Sequence, residues 1–260
     1  MDIILPTQAA EANVSSPNTF LIYGIPKSGK TAICAALPDT LIIELEPGGA
    51  DYVNALRYDI NTGNTTQNLV TLRALGDKLK AERPYKRIVI DTLTKVDEWA
   101  ELAGTYRYMN TPQGKKFNLG LSGPADPSWQ TVHELPDGYG YRHSRNWVLE
   151  LYDDMANWAD EIIFICHVKD KFIASKTGDA VQSIDINLTG KLAKIIASRV
   201  DVIGYFHRKG SEGYISFDGD KDKVCGGRCS HLGGGEDMLI SKTLDDGSLE
   251  TYWNKIYLEL

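Results

Sequence analysis

The strongest chemical signal in the sequence is a short glycine-bounded loop that suits a phosphate group. Its residues are Gly24-Ile25-Pro26-Lys27-Ser28-Gly29-Lys30-Thr31, and they match the spacing G-x-x-x-x-G-K-[ST] without a gap. Glycine allows several backbone N–H groups to point into one concavity, and a following helix adds positive partial charge. We predict that this loop and Ala32 bind ATP, with Lys30 at the β- and γ-phosphates and the Thr31 hydroxyl on Mg²⁺.

A nucleotide loop also needs a carboxylate for the metal ion, and one follows an apolar run. Arg87-Ile88-Val89-Ile90 is typical of a buried strand and leads to Asp91. This order places Asp91 at the carboxyl edge of a sheet, where open α/β sheets bind ligands. We expect Asp91 to act as the acid beside Mg²⁺. The alternative is a surface aspartate that caps the next helix.

The catalytic base has to come from elsewhere in the chain. Residue 92 is Thr92, so protein classes that place a glutamate directly after the aspartate are disfavoured. The run Leu41-Ile42-Ile43 continues to Glu44 and Glu46, and a base must lie within hydrogen-bond reach of the water that it activates. We expect Glu46 to reach a water in line with the γ-phosphate, and Glu44 to be a supporting or structural acid.

A third polar residue ends another apolar run. Phe164-Ile165-Cys166 leads to His167, which we expect to sense the γ-phosphate and to move the segment that follows. The alternative is a half-buried histidine bonded to backbone.

The elements that position these residues follow the alternation of an α/β protein. Apolar runs separated by helical spacing predict a parallel sheet with helices on both faces. The predicted strands are 20–23, 41–45, 87–90 and 161–166, and the predicted helices are 30–37, 70–82 and 146–158. Residues 110–145 lack a regular period and predict a long loop. A turn at 176–179 predicts a hairpin within 172–188, and 200–206 is predicted to pair with 214–217.

Composition sets broad limits on function. The chain has 260 residues, 28 basic and 35 acidic side chains and a formal net charge of −7. This balance argues against coating duplex DNA by bulk charge but allows a local basic groove. No apolar run is long enough for a spanning helix, and no positively charged signal region begins the sequence. Four cysteines in such a chain favour a reduced, cytoplasmic protein, the host cytoplasm if the chain comes from a phage.

The order of these motifs resembles a RecA-type ATPase core. The phosphate loop, Glu46, Asp91-Thr92 and His167 follow one another as in that group, over roughly residues 18–207. The sequence is most similar to bacteriophage nucleotide-binding proteins that include single-strand-annealing recombinases. The resemblance implies a Mg²⁺-dependent ATPase with Glu46 as base, Asp91 as metal-side acid and His167 as γ-phosphate sensor. It also implies contacts with single-stranded DNA after Asp91 and after His167.

Several residues are candidates for contact with DNA or with a second subunit. Aromatic and cationic side chains suit stacking on unpaired bases, and the candidates are Tyr139, Tyr141, Arg142, Lys169, Lys171 and Lys176. A tyrosine-rich loop packed on its own domain is the alternative. The resemblance implies a homo-oligomer, in which Arg228 would reach a neighbour's γ-phosphate. Gly226 stands where that group carries a lysine.

We therefore predict an N-terminal arm (1–17), an ATPase core (18–207) and a strand-rich extension of the same domain (208–260). The predicted function is ATP hydrolysis on single-stranded DNA in phage recombination or annealing. A small-molecule kinase with 110–145 as its lid, and a non-catalytic nucleotide-dependent binding or regulatory module, are the alternatives. Cys225, Cys229 and His231 could bind zinc, although a fourth ligand is missing at a suitable spacing.

Overall fold

A computed structural model describes residues 5, 7–8, 16–115, 131–174, 180–219 and 223–260 of the chain. The strands are Thr19–Gly24 (β1), Thr40–Glu44 (β2), Leu56–Asp59 (β3), Arg87–Asp91 (β4), Glu161–Ala174 (β5), Ala180–Ile186 (β6), Val202–Lys209 (β7), Glu212–Ser216 (β8), Gly226–Gly227 (β9), Met238–Thr243 (β10) and Leu249–Thr251 (β11). The helices are Lys30–Ala35 (α1), Thr65–Glu82 (α2), Leu93–Met109 (α3), Tyr141–Met155 (α4) and Leu192–Arg199 (α5). Residues 112–115 are also helical, and short 3₁₀ turns cover Val132–Glu134, Pro136–Gly138 and Trp253–Lys255.

A single sheet organises the fold, in the order β11-β10-β8-β7-β1-β5-β4-β2-β3. The six neighbouring strands β7, β1, β5, β4, β2 and β3 pair in parallel. Strands β8, β10 and β11 continue the sheet with antiparallel pairs. The predicted α/β class, with a parallel sheet and strand-rich C-terminal residues, is confirmed. No helix among the described residues is long and apolar enough to cross a membrane.

Two apolar layers bury the sheet. One layer packs α2, α3, α4 and α5 on the side of the sheet that carries Leu21, Ile90 and Phe164. The other layer packs α1 and Trp253 against the opposite side, with Ile22 and Val89. Alternate residues of each parallel strand therefore face different layers, which explains why these strands are continuously apolar in sequence.

The order of the strands decides which side chains meet. Strand β5 lies between β1 and β4, so Gly24 pairs with His167 and Asp91 pairs with Ile165. Because parallel strands share one carboxyl edge, the phosphate loop, Asp91 and His167 come to the same rim of the sheet.

Strand β5 continues beyond this rim. Its residues up to His167 belong to the central sheet, whereas Val168 to Ala174 pair with β6 as an antiparallel hairpin. The predicted hairpin is thus confirmed, and its turn at 176–179 lies outside the described residues. The predicted pairing of β7 with β8 is also confirmed.

Several elements differ from the sequence prediction. Helix α4 begins at Tyr141 and ends at Met155 rather than running from 146 to 158, and 3₁₀ turns occupy 132–138 within the predicted loop. Strand β3 was not predicted, because its four residues are exposed and alternate apolar with polar side chains over too short a length to stand out. Helix α2 begins at Thr65, five residues before the predicted start, where Asn64 caps it by accepting a hydrogen bond from the Gln67 N–H.

Candidate nucleotide-binding site

The phosphate loop joins the end of β1 to the start of α1, and its shape requires glycine. Gly29 has φ +104, and Lys27 also lies in the left-handed region with φ 62. At Gly24 a Cβ would lie 2.5 Å from the carbonyl oxygen of Phe206 on the neighbouring β7. Strand β7 therefore approaches the loop so closely that only glycine fits there.

Lys30 is a buried cation whose hydrogen bonds run to the loop itself. Its ammonium donates to the carbonyl oxygens of Gly24 at 2.9 Å and Ile25 at 2.8 Å. Only 5% of the residue is exposed, and burial lowers the pKa of its ammonium. Among the described residues no carboxylate forms an ion pair with it. Asp91 and Glu46 attract this charge from beyond ion-pair distance, and its hydrogen bonds go to carbonyl oxygens alone among the described residues. A buried cation without a carboxylate in direct contact is well prepared for an anion.

Thr31 and Asp91 form the second part of the site. The Thr31 hydroxyl donates to Asp91 Oδ2 at 2.6 Å, and Asp91 is 5% exposed. Burial raises the pKa of Asp91, although the bond from Thr31 opposes the shift. A cation at this position stabilises the buried carboxylate. Since hydroxyl and carboxylate oxygens are the donors that Mg²⁺ prefers, these two residues fit a magnesium site.

Glu46 and His167 meet although they are far apart in the chain. His167 Nε2 lies 3.0 Å and 3.1 Å from the two carboxylate oxygens of Glu46, and the Thr92 hydroxyl donates to Glu46 at 2.6 Å. Burial raises the pKa of Glu46, but the bonds from His167 and Thr92 outweigh it and leave this pKa below its usual value. The carboxylate is therefore ionised near neutral pH.

Thr92 is a site residue that sequence reasoning missed. It caps α3 by accepting a hydrogen bond from the Lys95 N–H at 3.1 Å, and its hydroxyl hydrogen goes to Glu46. A threonine directly between a strand and a helix is a recognisable N-cap signal. Its second bond is set by the proximity of β2 to β4 and has no local signal.

Glu44 and Glu46 have different surroundings. Glu44 accepts a hydrogen bond from the Ala50 N–H at 2.8 Å and lies 3.6 Å from Arg57. These contacts hold the segment after β2. Glu46, beyond the end of the strand, is left to face His167 and Thr92.

The DNA-contact candidates at the start of α4 pack on their own domain. The rings of Tyr139 and His143 lie edge to face against Tyr108, and Tyr141 stacks on His133 with centroids 4.4 Å apart. Tyr139 and Tyr141 are still 49% and 41% exposed. Arg142, beside Tyr141, is exposed as well. Tyr108 lies fifteen residues along α3 from Leu93, which corresponds to about 22 Å of helix. The cluster is therefore well separated along α3 from Asp91.

The candidates after His167 are partly described. Lys169 is exposed at the base of the β5–β6 hairpin, opposite Asp185. The backbone of Lys171 belongs to β5, and Lys176 lies outside the described residues.

Arg228 lies at the amino edge of the sheet, across from the phosphate loop. Its guanidinium donates to the Ser198 carbonyl at 2.8 Å and to Asp201 Oδ1 at 3.1 Å, and Asp201 in turn accepts from Thr19 at the start of β1. These bonds are made within the chain, so a role in a neighbour's site stays a prediction.

No disulfide bond joins the four cysteines, all of which are among the described residues. In the described part of the chain no group of three or more His, Cys, Asp and Glu side chains could hold a metal ion. His231 Nε2 instead lies 3.0 Å from the carbonyl oxygen of Ile256, which gives the histidine a structural partner.

Comparison with known proteins gives a family match over most of the chain. A family model described as an AAA domain matches residues 16–229. No curated protein matches the sequence. One solved structure that resembles the chain is that of a prototypical ATPase from the type III secretion system of pathogenic bacteria, with 9% identity and a TM-score of 0.37. The match covers 74% of this chain and 53% of that one, so this chain spans about half the length of that ATPase.

Proposed function

The chain belongs to the AAA-domain family whose model covers residues 16–229, and from this premise we propose that it is a Mg²⁺-dependent ATPase that acts on single-stranded DNA. The family and the P-loop core support nucleotide binding. The Mg²⁺ dependence, the DNA substrate and the roles of single residues are parts of the proposal.

One observation carries the proposal: the carboxyl edge of the sheet brings together a phosphate loop, an oxygen pair for a metal ion and a separate ionised carboxylate. Thr31 Oγ1 lies 2.6 Å from Asp91 Oδ2, and Glu46, two residues beyond β2, lies at the same rim and accepts a hydrogen bond from Thr92. A site for binding alone needs the first two parts, whereas hydrolysis also needs a group that positions water.

In the proposed reaction the loop N–H groups hold the phosphates and Lys30 exchanges its two carbonyl partners for phosphate oxygens. Thr31 and Asp91 hold Mg²⁺, which when bound offsets the negative charge of the phosphates. Glu46 orients a water molecule and accepts its proton. The water oxygen forms a bond to the γ-phosphorus, and the bond from that phosphorus to the bridging oxygen of ADP breaks.

His167 provides the proposed link to DNA. Its side chain contacts Glu46, its N–H donates to Thr94 at 3.1 Å on α3, and its carbonyl accepts from Asn187 at 3.0 Å after β6. The next residue of β5 begins the hairpin. A change at Glu46 on nucleotide binding therefore has a direct route to the hairpin base, where Lys169 is exposed. The resemblance described above supports a role in phage recombination or annealing, in the host cytoplasm and as a homo-oligomer.

Residues 131–138, within the proposed kinase lid, pack on α3. Val132 and Leu135 pack against Tyr108 on α3, and the Val132 N–H donates to Thr105 at 2.9 Å. Residues 131–138 therefore belong to the α3–α4 surface, which favours the ATPase over the kinase.

The test is ATP hydrolysis with and without a single-stranded oligonucleotide, on the wild type, on Glu46→Gln and on Glu98→Gln. Glu98 is an exposed carboxylate on α3 and serves as the control of equal charge. We expect DNA to stimulate turnover, Glu46→Gln to lower kcat by about 10²–10³-fold with ATP binding retained, and Glu98→Gln to match the wild type.

The other outcomes separate the alternatives. Absence of turnover in the wild type overturns hydrolysis and supports a nucleotide-dependent binding module. An ATP hydrolysis rate that is the same with and without single-stranded DNA contradicts the proposal that the ATPase acts on DNA. Phosphate that appears on a small acceptor supports the kinase.

A further inference from the structure

We propose that Arg208, near the end of β7, is a second cation of the nucleotide site and binds the α-phosphate. The C-terminal strands would then have a defined function, because they hold this arginine in place. The proposal rests on the proposed nucleotide site and adds a residue that no sequence motif indicates.

The first observation is proximity to the phosphate loop. A Cβ built on Gly29 would lie 3.8 Å from Arg208 Nη1. Strand β7 pairs with β1 up to Tyr205 opposite Tyr23, and its Phe206 carbonyl crowds Gly24. Continuing along β7, Arg208 is therefore brought beside the second glycine of the loop.

The second observation is that the guanidinium is held at one end. Its Nη2 donates to Thr243 Oγ1 at 2.9 Å on β10 and to the Ser211 carbonyl at 3.3 Å in the β7–β8 turn. Both bonds use Nη2, so Nη1 is the nitrogen on the side of the loop. In the described part of the chain Arg208 forms no ion pair with a carboxylate. Its charge is thus kept for another anion.

The position of β7 selects the phosphate. Asp91 and His167 belong to β4 and β5, and Glu46 follows β2. These three strands all lie on one side of β1, so the three residues mark the γ-phosphate end. Strand β7 lies on the other side of β1. A triphosphate that follows the loop from β5 towards β7 brings its α-phosphate to Arg208. A guanidinium suits this group because its planar donors match phosphate oxygens.

This position predicts a specific binding pattern. A cation at the γ-phosphate distinguishes ATP from ADP, whereas a cation at the α-phosphate binds both equally. If Arg208 only ties β7 to β10, its substitution changes neither the ATP affinity nor the ADP affinity.

The experiment measures the dissociation constants of ATP and ADP by titration calorimetry for the wild type, Arg208→Ala, Arg208→Lys and Thr243→Val. The control is Arg73→Ala, an exposed arginine on α2. For Arg208→Ala we expect affinity for both nucleotides to fall by the same factor, about tenfold. Arg208→Lys should recover part of the lost affinity. Thr243→Val should lower the affinity for ATP and for ADP by the same, smaller factor.

Two results would overturn the proposal: unchanged ATP and ADP affinity in Arg208→Ala, or a loss confined to ATP. Thr243→Val keeps the proposal testable if Arg208→Ala fails to fold. Lys30→Ala, measured in parallel, separates the two claims. If that variant keeps its ATP affinity, the nucleotide site itself is wrong. If it loses ATP affinity while Arg208→Ala does not, only the role of Arg208 is wrong.

Discussion

The two edges of the central sheet both bury charged side chains, but they pair them differently. At the amino edge, Arg87 is 1% exposed and meets Glu161 on the neighbouring strand, with Nε and Oε2 2.5 Å apart. Its guanidinium also lies 4.9 Å from the centre of the Tyr257 ring. At the carboxyl edge, the ammonium of Lys30, which is 5% exposed, donates to two carbonyl oxygens and to no carboxylate among the described residues.

This difference indicates what each edge does. At the amino edge an opposite charge on the adjacent strand compensates the buried cation, so the pair depends only on the fold. At the carboxyl edge the Lys30 ammonium and the Asp91 carboxylate attract each other, but among the described residues neither has an opposite charge within salt-bridge distance. Burying such groups costs free energy unless a ligand compensates them. The amino edge therefore contributes to stability and the carboxyl edge to binding.

The largest expected effect comes from breaking the amino-edge pair. Arg87→Ala removes the buried cationic partner of Glu161 and leaves it the more exposed Lys86, whose Nζ lies 3.4 Å from Glu161 Oε1. Burial already raises the pKa of Glu161. Loss of one member of a buried pair costs about 3–5 kcal/mol, which urea unfolding of the nucleotide-free protein measures. The double variant Arg87→Met/Glu161→Leu should recover most of this loss. A loss below about 1 kcal/mol in Arg87→Ala would show that the pair does not stabilise the fold.

The next largest effect is at the carboxyl edge, where removal of the buried cation should weaken binding and not stability. Lys30→Ala should weaken ATP binding by at least about 100-fold, because charged hydrogen bonds to phosphate are lost. The free energy of unfolding without nucleotide should not fall, since burial of the ammonium is unfavourable, as its lowered pKa indicates. Titration with a fluorescent nucleotide measures the affinity, with Lys78→Ala on α2 as control. Unchanged ATP affinity would be incompatible with the site as described.

The smallest expected effect is the pH-dependent contribution of Glu259 to the stability of the amino edge. Burial raises the pKa of Glu259 at the amino edge, but hydrogen bonds from Ser16 and Lys86 lower it to about 2. A depressed pKa stabilises the fold above the ordinary carboxyl value of about 4.3, and this contribution is lost as pH falls towards 2.

Glu259→Gln should therefore lower stability at pH 7 by at most about 1 kcal/mol, because the side chain is partly exposed. Urea unfolding across pH 2–7 should show the two proteins converging near pH 2, with ATP affinity unchanged at pH 7. If the wild type and Glu259→Gln still differ in free energy of unfolding at pH 2, the effect comes from packing and not from the charge of Glu259.

Much of the fold could be predicted from the sequence because it depends on local patterns. Continuous apolar runs identified β1, β2, β4 and the first half of β5, and the loop spacing identified Gly24 to Thr31. Strand β3 had no such signal, since its side chains are exposed and the β2 backbone holds it. The start of α4 at Tyr141 was missed because polar and aromatic residues of its first turn pack on α3.

The candidate site divides in the same way. Residues whose roles follow from neighbours in the chain, such as Lys30, Thr31 and Asp91, were found from the sequence, and their roles remain predictions. Thr92 and Arg208 were not found as site residues, because their contacts to Glu46 and towards Gly29 cross from one strand to another. Sequence spacing carries no information about such a contact.

The sequence by itself determined the phosphate loop, the carboxylate at the end of β4 and the alternation of strands and helices. Each of these depends on backbone geometry over a few residues. Only the tertiary structure decided that His167 contacts Glu46, 121 positions away, and that Arg208 lies beside Gly29. The reason is that strand order, with β5 between β1 and β4 and β7 on the far side of β1, is set by packing of the whole sheet.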